Sequence, residues 1–131
     1  MKSKIFFLLI ILMIFSSTSF AKETESNYTG IYSNMYYNKE GGDVLGIELF
    51  LVYTRAGYYV VFQSSEGEPE IPQVIPVIIK NKNIEFIVPP SKTSSYYGKF
   101  TGQFKNKYLI GKFENYDETI KLKRKGSYWQ K

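Results

Sequence analysis

The chain reads as an all-β protein: one antiparallel up-and-down meander of about eight short strands, closed or nearly closed into a barrel, with a β-sandwich as the alternative. Three observations predict it. Apolar and polar residues alternate with a period of two in several runs, the pattern of strands with one buried face. Clusters of Asn, Asp, Gly, Lys and Pro punctuate those runs as tight turns. No stretch has the apolar spacing of an amphipathic helix, and no repeat at a solenoid period is present. A barrel is favoured over a sandwich because closure removes the exposed edges of an open sheet.

The chain opens with Lys2 and Lys4, an apolar run from Ile5 to Phe15, four hydroxyl residues and then Phe20-Ala21. A basic start, an apolar stretch of about 7–15 residues and a small-residue exit describe a secretory signal peptide. The run is shorter than the roughly 20 residues a membrane-spanning helix needs. Residues 1–21 are therefore expected to be a signal peptide, and residues 22–131 a single β-barrel domain. Abundant Lys, Ile and Asn beside few Ala and Arg suggest a bacterial source, so the mature protein is expected in the periplasm or secreted. No membrane anchor is expected after cleavage, since no cysteine follows the apolar run to carry a lipid. Without cysteine the domain stands on packing rather than on disulfides.

Tyr28 to Tyr37 is rich in Tyr with Thr and Ile, which favours a first strand. Residues 38–43 form a turn. Val44 to Thr54 is almost continuously apolar; its β-branched and aromatic residues and Gly46 favour strand over buried helix. It pairs with Tyr58 to Ser64 as a hairpin about Arg55-Ala56-Gly57. Ser65 to Glu70 is an acidic loop. Pro72 to Lys80 is a strand whose Pro76 cannot donate to a ladder, which places it at an edge, bulge or corner. Asn81-Lys82-Asn83 turns the chain into Ile84–Val88, and Pro89 to Ser94 is the longest breaker. Tyr96 to Trp129 then supplies three strands with the clearest alternation. Phe100, Gly102 and Phe104 share one face, as do Leu109, Gly111 and Phe113, and finally Ile120 and Leu122. Bulky inward residues such as Leu49, Leu51, Phe86, Phe100 and Phe113 predict a mostly filled interior, with any pocket shallow and near one mouth.

The mature chain has 15 basic and 12 acidic residues, a net of +3, divided as −5 over residues 22–71 and +8 over 72–131. The lysines are spaced by two, so they read as the solvated face of strands and as guards of sheet edges rather than as a patch for an anion.

The absence of His and Cys removes Ser-His-Asp and Cys-His catalysis and the ordinary zinc and haem-attachment patterns. There is no phosphate-binding Walker loop and no dinucleotide fingerprint, and no cofactor or metal is expected. Glu48, alone in an apolar strand, reads as an outward or base-paired side chain; a carboxylate-dependent hydrolase ranks last among the functions and no enzyme is expected. The candidate ligand or partner surface is Tyr36, Tyr58 and Tyr97, which offer apolar area with a polar tip, and the acidic group Glu66, Glu68 and Glu70. Basic and aromatic residues together suit single-stranded nucleic acid, but an exported protein is not expected to meet it.

Gly30-Ile31-Tyr32 in the first strand and Arg124 in the last resemble the calycin group, the lipocalin-like and avidin-like barrels. Those begin with a Gly-x-Trp strand, and lipocalins carry a late basic residue that packs over that Trp to close one barrel end. Arg124 shares its parity with Ile120 and Leu122 and so is expected to point inward as a buried guanidinium; Tyr32 replaces the Trp. The resemblance implies that Gly30, Tyr32 and Arg124 plug the barrel floor and do not contact ligand. Two functions lead. One is a non-catalytic binding protein for a small apolar or amphipathic ligand, in a shallow pocket or on an aromatic surface. The other is an exported inhibitor or immunity-type protein that blocks a protein partner with the Ser64–Ile71 loop, stiffened by Pro69 and Pro72.

Overall fold

The computed structural model describes residues 28–91 and 96–130; the expected signal peptide lies outside them. Among the described residues nine strands form one antiparallel sheet: β1 Gly30–Ser33, β2 Tyr36–Asn38, β3 Asp43–Thr54, β4 Gly57–Gly67, β5 Gln73–Lys80, β6 Asn83–Val88, β7 Gly98–Lys105, β8 Tyr108–Phe113 and β9 Thr119–Arg124. From β3 to β9 each strand pairs with the next, and β1 pairs with both β9 and β3. Eight strands therefore close an up-and-down barrel, and β2 runs on along β3 as an extra strand.

The expected first strand is broken at Asn34-Met35, and the break has a local cause. The Asn34 amide donates to the Ile47 carbonyl at 3.1 Å, but the Ile47 amide donates to the Asn34 side-chain oxygen at 2.7 Å. A side chain has taken the place of the strand's own carbonyl, one of the ways Asn competes with regular structure. Opposite it, Gly46 has φ +113, and a Cβ there would stand 2.8 Å from both the Asn34 carbonyl oxygen and Met35 Cα. Only glycine fits that approach. The register survives the break: Ser33 faces Glu48 before it and Tyr36 faces Leu45 after it.

Two other boundaries follow from chemistry. β4 continues past Ser64 to Gly67, because Ser65 Oγ donates to the Val44 carbonyl at 2.5 Å and holds the hairpin together at its far end. Glu66 thus belongs to a strand, and the acidic loop is shorter than the sequence suggests. At Pro76 the β5–β6 ladder stops: pairing covers only Ile78↔Glu85 to Lys80↔Asn83. Beyond it Phe86–Val88 pairs with β7 and Gln73–Val77 with β4, so the two strands part into an external groove of about 580 Å³. The missing proline donor is realised as a partial split in the barrel wall.

The interior is filled as expected. Leu49, Val60, Phe100, Phe113 and Leu122 are fully buried, and Phe113 gathers Phe62, Tyr97 and Phe100 with ring centres 4.9–6.0 Å away. Each such ring contributes up to about 3 kcal/mol by its removal from water. Gly102 and Gly111 face each other across β7 and β8, and the Phe100 ring lies over both. Ile120 is only half-buried.

Outside, the C-terminal segment crosses β1, β3 and β4. Glu48 is on the outer wall, 8% exposed, and its partner is no base: Ser127 Oγ donates to one carboxylate oxygen at 2.5 Å and the Tyr128 amide to the other at 2.8 Å. Trp129 Nε1 donates to Gln63 Oε1 at 2.8 Å, and the Lys125 amide to the Ile31 carbonyl at 3.0 Å.

A methyl at Gly111 would meet the Thr101 carbonyl oxygen at 2.6 Å and Gly102 Cα at 2.7 Å, backbone atoms that cannot step aside. Gly111→Ala is expected to destabilise by about 2–3 kcal/mol, the upper range for overpacking. Gly126→Ala, which meets only the end of Gln130 at 3.4 Å, is expected to stay within about 0.5 kcal/mol. Urea unfolding of both variants checks the pair.

Candidate functional site

In an up-and-down meander every second connection returns to the same end, so the ends are built from different turns. One end holds the start of β1, the connections at residues 55–56, 81–82 and 106–107, and the close of β9. The other holds the connections at 39–42, 68–72, 89–97 and 114–118. Lysine and arginine occupy the first set: Arg55, Lys82, Lys107 and Arg124, with Lys80, Lys105 and Lys125 at their flanks, and no acid among the described residues. Acids occupy the second: Glu40, Glu68, Glu70, Glu114, Asp117 and Glu118, with Asp43 and Glu66 beside them and Lys39 the exception among the described residues. The described lysines are exposed, Lys99 half-buried, as expected for a solvated face; what their spacing along the chain does not show is that those of the turns gather at one end.

At the basic end lies a cup of about 610 Å³. Its floor is aromatic: Tyr28 stacks on Phe104 with ring centres 4.5 Å apart and planes 21° from parallel, and Tyr32 leans on the same ring at 5.5 Å. The Tyr32 hydroxyl donates to the Tyr28 carbonyl at 2.8 Å, which fixes the chain entering β1. Lys82, Lys105 and Arg124 form the rim with Gln103 and Asn106. Lys82 is aimed there by a tight turn in which Asn81 and Lys82 both have positive φ, +50 and +69, the twist that suits two-residue hairpins.

Gly30, Tyr32 and Arg124 do meet at this end. Tyr32 and Arg124 are cross-strand partners, and the Arg124 side chain lies over Gly30, where a Cβ would be 3.1 Å from Nε. The expectation of a buried guanidinium is corrected: Arg124 is exposed, donating from Nη2 to the Thr29 carbonyl at 2.5 Å. The reason is that β9 ends at Arg124, so its side chain reaches the rim and not the packed core. Burial raises the Tyr32 pKa above the usual tyrosine value, with Arg124 opposing the shift and Tyr28 adding to it.

The acidic end has a smaller mouth of about 320 Å³. Two of the residues singled out in the sequence come together here. Tyr97 is buried, donates its hydroxyl to Glu66 Oε1 at 3.1 Å, and stacks on Tyr116 at 5.0 Å. Burial pushes the Tyr97 hydroxyl far above its ordinary pKa; a hydrogen bond with Ser64 opposes this, and the Glu66 charge adds to it. Glu70 holds the loop through its backbone: its amide donates to the Ser64 carbonyl at 2.9 Å and its carbonyl accepts from Gln63 Nε2 at 2.9 Å. Glu68 is exposed in that loop and Tyr36 is exposed on β2. Tyr58 sits at the opposite end, edge-on to Tyr53 at 5.0 Å, so the three tyrosines do not form one surface. Tyr28 stands among the tyrosines near strand ends that suit a ligand mouth, but sequence reasoning missed Phe104, Lys82 and Lys105 as site residues. The signal that finds them is the alternation of basic and acidic connections along the meander.

The Tyr97 shift has a sign that can be measured. A hydroxyl held neutral in the fold gives stability that is fully present below the ordinary tyrosine pKa of 10.0 and is lost as pH rises above it. The urea midpoint of the wild type is expected to fall above that pH, and the fall to be shallower in Tyr97→Phe. Parallel curves for the two proteins would show that burial of this hydroxyl is not felt.

Comparison with family models, with curated proteins and with solved structures found no match to this chain.

Proposed function

We propose that the chain is a non-catalytic, exported binding protein that takes a small amphipathic anion in the cup at its basic end. The observation that carries this reading is the pairing of a flat aromatic floor with a cationic rim in one recess. Tyr28, Tyr32 and Phe104 offer stacking area, and Lys82, Lys105 and Arg124 offer charge-assisted donors around it. A cup of about 610 Å³ falls within the roughly 300–1,000 Å³ usual for small-molecule sites. The sequence-level ligand, apolar or amphipathic, is thereby narrowed to one that carries negative charge. The closed up-and-down barrel supports the calycin-like reading, and the meeting of Gly30, Tyr32 and Arg124 adds to it; on this proposal those residues border the ligand as well as the barrel end. Export rests on the apolar N-terminal run and its small-residue exit.

A second reading, action on a protein partner through the Ser64–Ile71 segment, is favoured by one observation: the loop is pinned by the Glu70 amide on the Ser64 carbonyl, by Gln63 Nε2 on the Glu70 carbonyl, and by a Ser65–Pro69 bridge. A pinned loop loses little entropy on binding.

Calorimetric titration with 1-naphthyl phosphate and with 1-naphthol separates charge from stacking. The phosphate is expected to bind at least about tenfold tighter, and to weaken as salt is raised, because the rim is exposed and screened. Lys82→Gln combined with Lys105→Gln is expected to remove about that factor of ten and to leave naphthol binding unchanged. Equal affinity for the two compounds, or binding of neither, would overturn the proposal.

A further inference from the structure

The outer wall of the barrel is two-sided. On β7 to β9 it carries Lys99, Thr101, Lys112 and Lys121, the polar face an antiparallel sheet shows to water. On β3 to β6 it is largely apolar, apart from Glu85, which pairs with Lys99 at 3.2 Å, and Glu48 and Gln63, which the C-terminal segment covers. Phe50 faces Val61, which faces Val74; Val52 faces Tyr59, which faces Pro76. Ile78 and Ile87 continue the surface across the groove at the split between β5 and β6. Phe50 is 46% exposed, Val74 70%, Ile78 54% and Ile87 59%. Single exposed apolar residues are ordinary, but a contiguous set on four neighbouring strands marks an interaction surface.

The charges at the two ends of this wall identify its occupant. Arg55 and Lys80 lie at the basic end of the strands that build it, and Glu68 and Glu70 in the loop at the acidic end of β4 and β5. The wall runs along the barrel axis between ends of opposite sign. A two-fold axis lying in the plane of the wall and perpendicular to the barrel axis stacks apolar face on apolar face with the barrels antiparallel. That operation sets each copy's Arg55 and Lys80 beside the other's Glu68 and Glu70. An isologous contact demands such a self-complementary patch. A parallel stack would set like charges together.

We infer that the β3–β6 wall pairs with a second copy of this chain in an antiparallel, two-fold symmetric dimer. The cup borders β1, β7, β9 and the β5–β6 turn that carries Lys82; it opens at the barrel end rather than on the wall and remains open in that arrangement.

Sedimentation velocity of the purified protein is expected to give twice the mass of a single chain at tens of micromolar and low salt. Val74→Lys with Ile87→Lys, both at exposed positions, is expected to return it to the single-chain mass with an unchanged circular dichroism spectrum. Two further variants test the orientation. Glu68→Lys/Glu70→Lys places Lys against Arg55 and Lys80 of its own partner copy, and Arg55→Glu/Lys80→Glu places Glu against acids. Each alone is expected to dissociate at least about tenfold more readily at low salt, and an equimolar mixture of the two to recover the dimer as a heterodimer. A wild type that stays single at several hundred micromolar overturns the proposal. So does a dimer that survives Val74→Lys/Ile87→Lys, or a mixture that fails to recover pairing.

Discussion

The closure of the barrel depends on four residues. β1 runs only from Gly30 to Ser33, yet it pairs with β3 on one side and β9 on the other. Without it, β3 to β9 would be an open sheet with two unpaired edges, the arrangement most prone to pair with another chain. Its ladder to β9 has two paired positions, against eleven between β3 and β4. The C-terminal segment reinforces this weakest seam. The Lys125 amide adds a hydrogen bond to Ile31, and the chain then crosses the outer wall to Glu48, directly opposite Ser33. Hydrogen bonds to a charged acceptor contribute about 1.5–3 kcal/mol each, so the clasp on Glu48 matters more than its place outside the core suggests. A carboxylate in an apolar strand is here the lock on the seam.

The meander also sorts charge. Because strands alternate in direction, consecutive turns fall at opposite ends, and a sequence with alternating basic and acidic turns becomes a barrel with a dipolar axis. A field of that kind acts on partners beyond contact distance. It makes the two mouths chemically unlike although both are lined with tyrosine. At the basic end exposed cations ring a stacked floor; at the acidic end Glu66 accepts the hydrogen bond of a buried tyrosine.

Much of the fold was legible in the residues. The period-two runs and their turns gave strand order, inward faces and closure, since alternation follows directly from the pleat. Pro76 gave the place where a ladder fails. The broken first strand was not legible, because it depends on one Asn34 oxygen finding the Ile47 amide across the sheet, a contact between distant positions in sequence. The site was legible only in fragments. Tyr97 and Glu66 were named for separate reasons, and their meeting required β4 to run three residues past Ser64. Lys82 and Lys105 looked like ordinary solvated residues because the charge was counted along the chain rather than by the parity of its turns.

The same parity links the cup to the outer wall. β-branched and aromatic residues favour strands wherever they sit, which accounts for single exposed valines but not for two apolar rows that each cross β3, β4 and β5 while β7 to β9 carry lysine. If the wall is covered by a second copy in the antiparallel sense, the two basic cups lie at opposite ends of the assembly and face away from each other. Each cup then keeps Lys82, Lys105 and Arg124 for its ligand, and the acids of the partner are set against Arg55 and Lys80, the last residue of β5 before the turn that carries Lys82. Wall and cup draw on different subsets of one charged end, so dimerisation and ligand binding are separable by substitution, and neither requires the other.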